Sequence, residues 1–217
     1  MNKTGFIFDL DGVIVDTAKY HYLAWRKLAN ELGFEFTQEQ NEQFKGVSRK
    51  RCLEILLGIG NIKASQEQFN RWLVEKNEDY LYLIEKMDES EILPDVQKVL
   101  QFLKKHNKPI ALGSASKNAR PILEKVKLMD YFDVVVDGTH VAKAKPDPEV
   151  FLIATKQLGV SPKDCVVFED AVAGIEAANN AGMLSIGIGE EKVLSEAKFV
   201  FTNFTKMDDK FLNRLIG

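Results

Sequence analysis

The apolar residues of this chain fall in short unbroken runs: Gly5-Phe6-Ile7-Phe8, Pro109-Ile110-Ala111-Leu112-Gly113, Val134-Val135-Val136 and Cys165-Val166-Val167-Phe168. A run without alternation reads as a strand buried on both faces, as parallel sheets require. Further short strands are predicted at Leu184–Ile188 and Phe199–Phe201. Between them the chain reads as helical: after Pro94 through Leu103, from Asn118 as N-cap with Pro121 in the first turn, around Pro148–Leu158, from Ala171 to about Ala181, and at the C-terminus. Strands alternating with helices predict right-handed crossovers and an α/β fold built on a doubly wound, Rossmann-like parallel sheet.

One stretch breaks that rhythm. From about Thr17 to Leu32 the residues Leu23, Ala24, Leu28 and Leu32 recur at helical spacing, and Gly33 suits the helix end. Thr37 with Gln40 and Ser65 with Gln68 have capping-box spacing, the second pair opening a long helix through about Glu85. Nothing strand-like lies between Asp16 and Glu91. The expected organisation is therefore a core domain of residues 1–15 and 94–217, interrupted by an all-helical cap domain of residues 16–93.

The 217 residues suffice for one large domain or a domain with an insertion. Apolar residues make up 45% and charged residues 28%, the balance of an ordinary globular protein. The formal net charge is -3, so no global basic field attracts nucleic acid or an anionic membrane, and an anionic ligand needs a local cluster of Lys and Arg. Cys52 and Cys165 lie far apart with no zinc-ligand spacing, and Cys165, inside an apolar run, is expected to be a buried free thiol. With no signal-peptide core and no membrane-length apolar run, a reducing, cytoplasmic location is expected.

Candidate chemistry gathers where the predicted strands end. Asp9 and Asp11 follow the first strand two residues apart and are expected to point the same way, which is costly unless a cation or a shared proton relieves them. Ser114 follows the second strand, Lys145 lies in the loop Ala144-Lys145-Pro146-Asp147 before a helix, and Glu169-Asp170 follows the strand through Phe168, with Gly174 in the helix beyond. Each alone is an ordinary turn or cap residue. Together, at the carboxyl ends where open α/β sheets bind ligands, they predict a metal-assisted phosphoryl-transfer site. Carboxylates of Asp9 and Asp170, with oxygen from Asp11, make a hard site suited to Mg²⁺, and Glu169 joins as a ligand directly or through water. Lys145 and the Ser114 hydroxyl would supply charge and a hydrogen bond to the transferring group, and a carboxylate nucleophile would yield an aspartyl phosphate.

Phe8-Asp9-Leu10-Asp11-Gly12-Val13 with Asp16-Thr17, then Ser114, Lys145-Pro146 and Glu169-Asp170, resemble the signatures of the haloacid dehalogenase-like hydrolase superfamily in order and spacing. The resemblance spans essentially the whole chain, including the helical cap inserted after the first signature. It implies Asp9 as nucleophile and Asp11 as general acid/base. Many phosphatases of that superfamily carry Gly-Asp where this chain has Glu169-Asp170, so the acidic pair points to a subgroup.

The cap bears on what accepts the phosphoryl group. Thr17 and His21 are four residues apart, hence on one helix face, just beyond Asp11. Lys45-Gly46-Val47-Ser48-Arg49 is a short basic loop before a helix starting at Ser48 or Arg49, suited to a second phosphate. Lys76-Asn77 on the long helix is placed to reach sugar hydroxyls, although surface lysines and arginines are more often just solvated. These segments, with Ser114-Ala115-Ser116-Lys117-Asn118, resemble the β-phosphoglucomutase branch of the superfamily. That resemblance implies interconversion of β-glucose 1-phosphate and glucose 6-phosphate through β-glucose 1,6-bisphosphate. It also implies Arg49, Ser116, Lys117 and Asn118 as contacts to the non-transferring phosphate, and His21 as a residue that positions the acid/base. The partner expected is a small-molecule sugar phosphate, handled by a monomer. A sugar-phosphate phosphatase and a non-catalytic phosphosugar-binding protein stay open as alternatives.

Overall fold

The computed structural model describes residues 1–44 and 47–217. After β1 (Gly5–Phe8), helices α1 (Ala18–Glu31), α2 (Gln38–Asn41), α3 (Arg49–Ile59) and α4 (Gln66–Ile84) follow with no strand among the described residues between them. Then come α5 (Val96–Lys105), β2 (Ile110–Gly113), α6 (Ala119–Lys125), β3 (Val134–Val136), α7 (Glu149–Leu158), β4 (Cys165–Glu169), α8 (Val172–Asn180), β5 (Leu184–Ile188), β6 (Phe199–Phe201) and α9 (Asp209–Ile216).

All six strands are parallel, in the order β3-β2-β1-β4-β5-β6. The chain builds outward from β1 in one direction, then crosses back and builds outward from β4 in the other. The strand order therefore reverses between β1 and β4, where a crevice opens beyond the carboxyl ends. Each residue of β1 is buried because both faces are covered. Phe6 and Phe8 pack with Ile110, Leu112, Val166 and Phe168 on one face, while Ile7 packs with Ala111, Phe151 and Val167 on the other. The unbroken apolar runs thus carry the two-sided burial that the period predicted.

The helices between β1 and β2 have a core of their own, centred on Trp25, Phe36, Leu53, Leu56 and Trp72. Both expected capping boxes form: the side chains of Thr37 and Ser65 accept from the amides of Gln40 and Gln68, and the glutamine side chains accept in return. The apolar stripe of α1 is rotated from the one expected. Leu23 is exposed, while Trp25 and Ala29 are buried, because the helix packs along α4 rather than onto the sheet. Ala24, Tyr80 and Ile84 nonetheless join the cluster on the sheet's Phe8 face, so the inner ends of these helices share packing with the sheet. The two crossings between sheet and helices run side by side: Asp16 N donates to Glu91 O and Leu93 N to Ile14 O, both at 3.0 Å, and Val15 and Ile92 form an antiparallel bridge.

Candidate active site

Strand register brings the acidic groups together. Phe8 pairs with Phe168, so the residues that follow them, Asp9 and Glu169, emerge at the same level, and Asp9 N donates to Phe168 O at 3.0 Å. Lys145 reaches in from the loop before α7. Its Nζ donates to Asp9 Oδ1 at 2.6 Å and to Glu169 Oε2 at 2.8 Å, with the lysine side chain 1% exposed. Burial alone would favour neutral lysine, but the two carboxylates reverse this and hold its pKa above the ordinary value. Burial pushes Glu169 up, against the pull of Lys145.

Asp170 completes a cluster with Asp9 and Glu169 in which one oxygen of each lies within 4.8 Å of the others. Two glycines make this approach possible. A Cβ at Gly12 would lie 2.1 Å from Asp170 Oδ2, and the φ of +79° there suits glycine; a Cβ at Gly174 would lie 2.0 Å from Glu169 Cδ. Three carboxylates against one lysine leave a site rich in hard oxygen and in negative charge, which fits a divalent cation such as Mg²⁺.

The Asp11 carboxylate stands apart from this acidic cluster and takes its hydrogen bond from another element. The strand ends at Phe8, so alternation no longer governs position 11; instead the Thr17 hydroxyl, at the foot of α1, donates to Asp11 Oδ1. His21 Nε2 lies 4.0 Å from the same oxygen. Burial and the charge of Asp9 raise the Asp11 pKa to about 6, against Thr17, Lys145 and Lys76, which lower it. A carboxyl group titrating near there is poised for acid and base roles close to neutrality.

The cap wall is built differently. Lys76, expected to be solvated or to reach a sugar, is 2% exposed. Its Nζ rests 3.0 Å from His21 Nδ1 and lies 4.6 Å and 4.8 Å from the ring centres of Trp25 and Tyr80. Burial and nearby Arg49 lower its pKa to about 7. Burial, Lys76 and Arg49 drive the His21 pKa well below its usual value, so the ring is neutral. With the Lys76 ammonium as donor to Nδ1, the ring hydrogen is assigned to Nε2, on the side of Asp11. The ring stacks on Tyr80 with centroids 4.1 Å apart.

The segment after β2 forms a ladder: Ser114 Oγ accepts from Ser116 N at 3.1 Å, and Ser116 Oγ from Asn118 N at 3.2 Å. Asn118 holds the N-cap position of α6 but makes no side-chain capping bond. Its Nδ2 donates to Asn77 Oδ1 on α4 at 3.0 Å, tying the cap helix to the sheet side. Ser48 spends its hydroxyl on the amide of Arg51 as the N-cap of α3, with Arg49 in the first turn. Lys45 and Gly46 lie outside the described residues.

A cavity of about 1380 Å³ separates the two walls. Asp9, Asp11, Ser114, Lys145 and Asp170 face it from the sheet, as do Ala115, Ser116, Lys117 and Asn118. Thr17, His21, Val47, Ser48, Arg49 and Lys76 face it from the helical insertion. Of the other expected residues, Asn77 stands behind Asn118, and Glu169 behind Asp9 and Lys145. Trp25 and Tyr80 escaped the sequence reading. Their signal was helical spacing, since each lies four residues beyond a site residue, Trp25 after His21 and Tyr80 after Lys76.

The family model for haloacid dehalogenase-like hydrolases matches residues 3–182. A β-phosphoglucomutase of Bacillus subtilis is 43% identical over 196 residues, 89% of this chain and 87% of that protein. A phosphorylated carbohydrates phosphatase of Thermotoga maritima is 35% identical over 202 residues, 88% of this chain and 89% of that protein. The crystal structure of β-phosphoglucomutase from Clostridium difficile superposes with a TM-score of 0.93 at 41% identity, covering 99% of this chain and 97% of that one.

Proposed function

Because this chain belongs to the haloacid dehalogenase-like hydrolase family, we propose that it is a phosphoryl-transferring enzyme of the β-phosphoglucomutase kind, interconverting β-glucose 1-phosphate and glucose 6-phosphate. The observation that carries this is a cavity with two unlike walls. The sheet side offers a carboxylate–lysine set for a reacting phosphoryl group, and the cap side offers Arg49 and Lys76 for a second anion. A mutase holds two phosphates on one sugar; a phosphatase needs only the first site.

In the first half-reaction, phosphorylated Asp9 meets the 6-hydroxyl of β-glucose 1-phosphate. Asp11, as carboxylate, takes the hydroxyl proton while the sugar oxygen bonds to phosphorus and the Asp9 oxygen leaves. The β-glucose 1,6-bisphosphate turns end for end. Asp9 then attacks the phosphorus at C1, and Asp11, now protonated, gives its proton to the departing C1 oxygen. Lys145 and the Ser114 hydroxyl neutralise and orient the oxygens in flight, and Arg49, Lys117 and Asn118 hold the idle phosphate. Asp9, Glu169 and Asp170, with an oxygen from Asp11, are the residues to hold Mg²⁺, which when bound offsets the repulsion between the phosphate dianion and the attacking carboxylate.

Residues 16–93 act in this scheme as a cap on the core of residues 1–15 and 94–217. It turns at 16–17 and 93–94 to exclude the water that would hydrolyse the acyl phosphate. Among the described residues no helix is long and apolar enough to cross a membrane, and both cysteines are free and buried, in keeping with the cytoplasm. The test supplies Mg²⁺, β-glucose 1-phosphate and a trace of the bisphosphate, then follows glucose 6-phosphate and free phosphate together. Isomerisation without phosphate release is expected; steady release of phosphate would make the enzyme a phosphatase, and neither product would leave a binding protein.

A further inference from the structure

Lys145 reaches its two carboxylate partners from a loop that packing does not hold. Ala142, Lys143 and Ala144 are exposed along the cavity, yet the lysine that follows them is buried, its Nζ set between Asp9 and Glu169. Exposed amides have water as an alternative partner, so the order of such a loop has to come from specific bonds. Glu149, the first residue of α7, supplies two of them. Its Oε2 accepts from Ala142 N at 2.9 Å and from Lys143 N at 2.7 Å, so successive amides converge on one oxygen. The start of the helix is fixed in turn, because Asp147 Oδ1 accepts from Glu149 N at 3.0 Å. Behind it, Val150, Phe151 and Ala154 are buried in one cluster with Ile7, Ala111 and Val136 of the sheet. The Phe151 ring centre lies 4.8 Å from Lys145 Nζ, so α7 meets this lysine at its tip and also grips its loop. No step of the reaction uses Glu149.

We propose that Glu149 is a positioning residue for Lys145: by gripping the amides of Ala142 and Lys143 it sets the loop so that the ammonium lands between Asp9 and Glu169. On the other flank of Lys145, Asn180 Nδ2 donates to Pro146 O at 3.3 Å, so the loop is tied on both sides of the lysine. Releasing the Glu149 tie lets the lysine shift, and a misplacement of about 1 Å is enough to cost about 100-fold in rate. This rests on the role proposed for Lys145 at the transferring phosphoryl group. Glu149 also puts negative charge at the N-terminal end of α7, which favours the helix by itself. Substitution separates the two effects. Glutamine keeps an acceptor oxygen and drops the charge; alanine drops both.

The test compares Glu149→Gln and Glu149→Ala with the parent by amide hydrogen exchange, thermal melting and turnover with Mg²⁺. Turnover is followed on β-glucose 1-phosphate with a trace of bisphosphate, and on a small phosphate ester. In the alanine variant, exchange at Ala142 and Lys143 should quicken at least about 10-fold, with the melting temperature within about 2 °C of the parent. Its kcat should fall about 10–30-fold on both substrates alike, with KM changed less than about twofold, because both reactions need Lys145. The glutamine variant should keep kcat within about threefold of the parent. Parental kcat in the alanine variant overturns the proposal, as does unchanged exchange at the two amides. Equal losses in both variants also overturn it, since the helix-end charge would then be the cause. So does a loss confined to isomerisation, or a melting temperature lowered by several degrees, which would make Glu149 a support of the fold and not of the loop. Should the parent hydrolyse the ester without isomerising, the mutase reading alone fails, and the variants read on the ester still decide the role of Glu149. A parent inert toward both substrates removes the Lys145 role, and the proposal with it.

Discussion

Two lysines face the same cavity from opposite walls, equally hidden from solvent and oppositely held. Lys145, on the sheet side, lies between Asp9 and Glu169, and its pKa is raised. Lys76, on the cap side, rests on a neutral imidazole and two aromatic faces, and its pKa falls to about 7. Burial acts alike on both, so the partners decide. A lysine between carboxylates is a fixed part of its wall. One without them carries an unmet demand for an anion, which the proposed sugar-phosphate substrate would supply. The core wall is preassembled, and in the proposed reaction the cap wall would be completed by substrate.

The sharpest break is Asp9→Asn, which removes the proposed nucleophile but leaves Lys145 its bond to Glu169. Turnover is expected to fall by at least about 10⁴-fold with the melting temperature little changed, checked by kinetics and calorimetry. Next comes the contrast between the lysines. Lys145→Met leaves two buried carboxylates unpaired and should destabilise by about 3–5 kcal/mol in urea unfolding without metal, whereas Lys76→Met should be neutral or stabilising. The sign follows from titration. With a folded pKa near 7 and an unfolded value of 10.5, Lys76 binds more protons in the unfolded chain between those limits. Its cost is therefore fully present below pH 7 and fades as pH rises toward 10.5, at up to about 1.4 kcal/mol per pH unit. The gain from Lys76→Met should shrink over that window, and a constant gain would refute the unmet-charge account.

Arg49→Ala should cut isomerisation about 100-fold while altering hydrolysis of a small phosphate ester less than about threefold, since only the mutase reaction needs a second phosphate held. Equal losses would dissolve the division between walls. The smallest expected effect is Thr17→Val. Without its hydroxyl bond the Asp11 pKa should climb from about 6 by up to about one unit, read as an upward shift of the acid limb.

The acidic cluster was legible because parallel strands deliver their ends to one edge: once Phe6–Phe8 and Val166–Phe168 read as strands, Asp9 and Glu169 belonged to the same edge, and the pairing of β1 with β4 set them side by side. The capping boxes at Thr37 and Ser65 were legible because they close within four residues. The bond from Thr17 to the Asp11 carboxylate was not legible, because position 11 lies past the strand, where alternation no longer applies. Leu23 was misplaced because four apolar positions cannot say which neighbour a helix will face.

Local order thus belonged to the sequence itself: the strands, the helix starts, the insertion between the first strand and the next, and the residue types at the strand ends. Each rests on interactions within a few residues or on the regular geometry of a parallel sheet. Which charges stay hidden and which stay unpaired was settled only by tertiary packing. The burial of Lys76 against Trp25, His21 and Tyr80, the reach of Asn118 to Asn77, and the turn of Asp11 toward Thr17 all depend on how α1 and α4 lie over the sheet. Those contacts join residues up to tens of positions apart, and charge energetics follow from such distances and from burial, neither of which is written in the order of the residues.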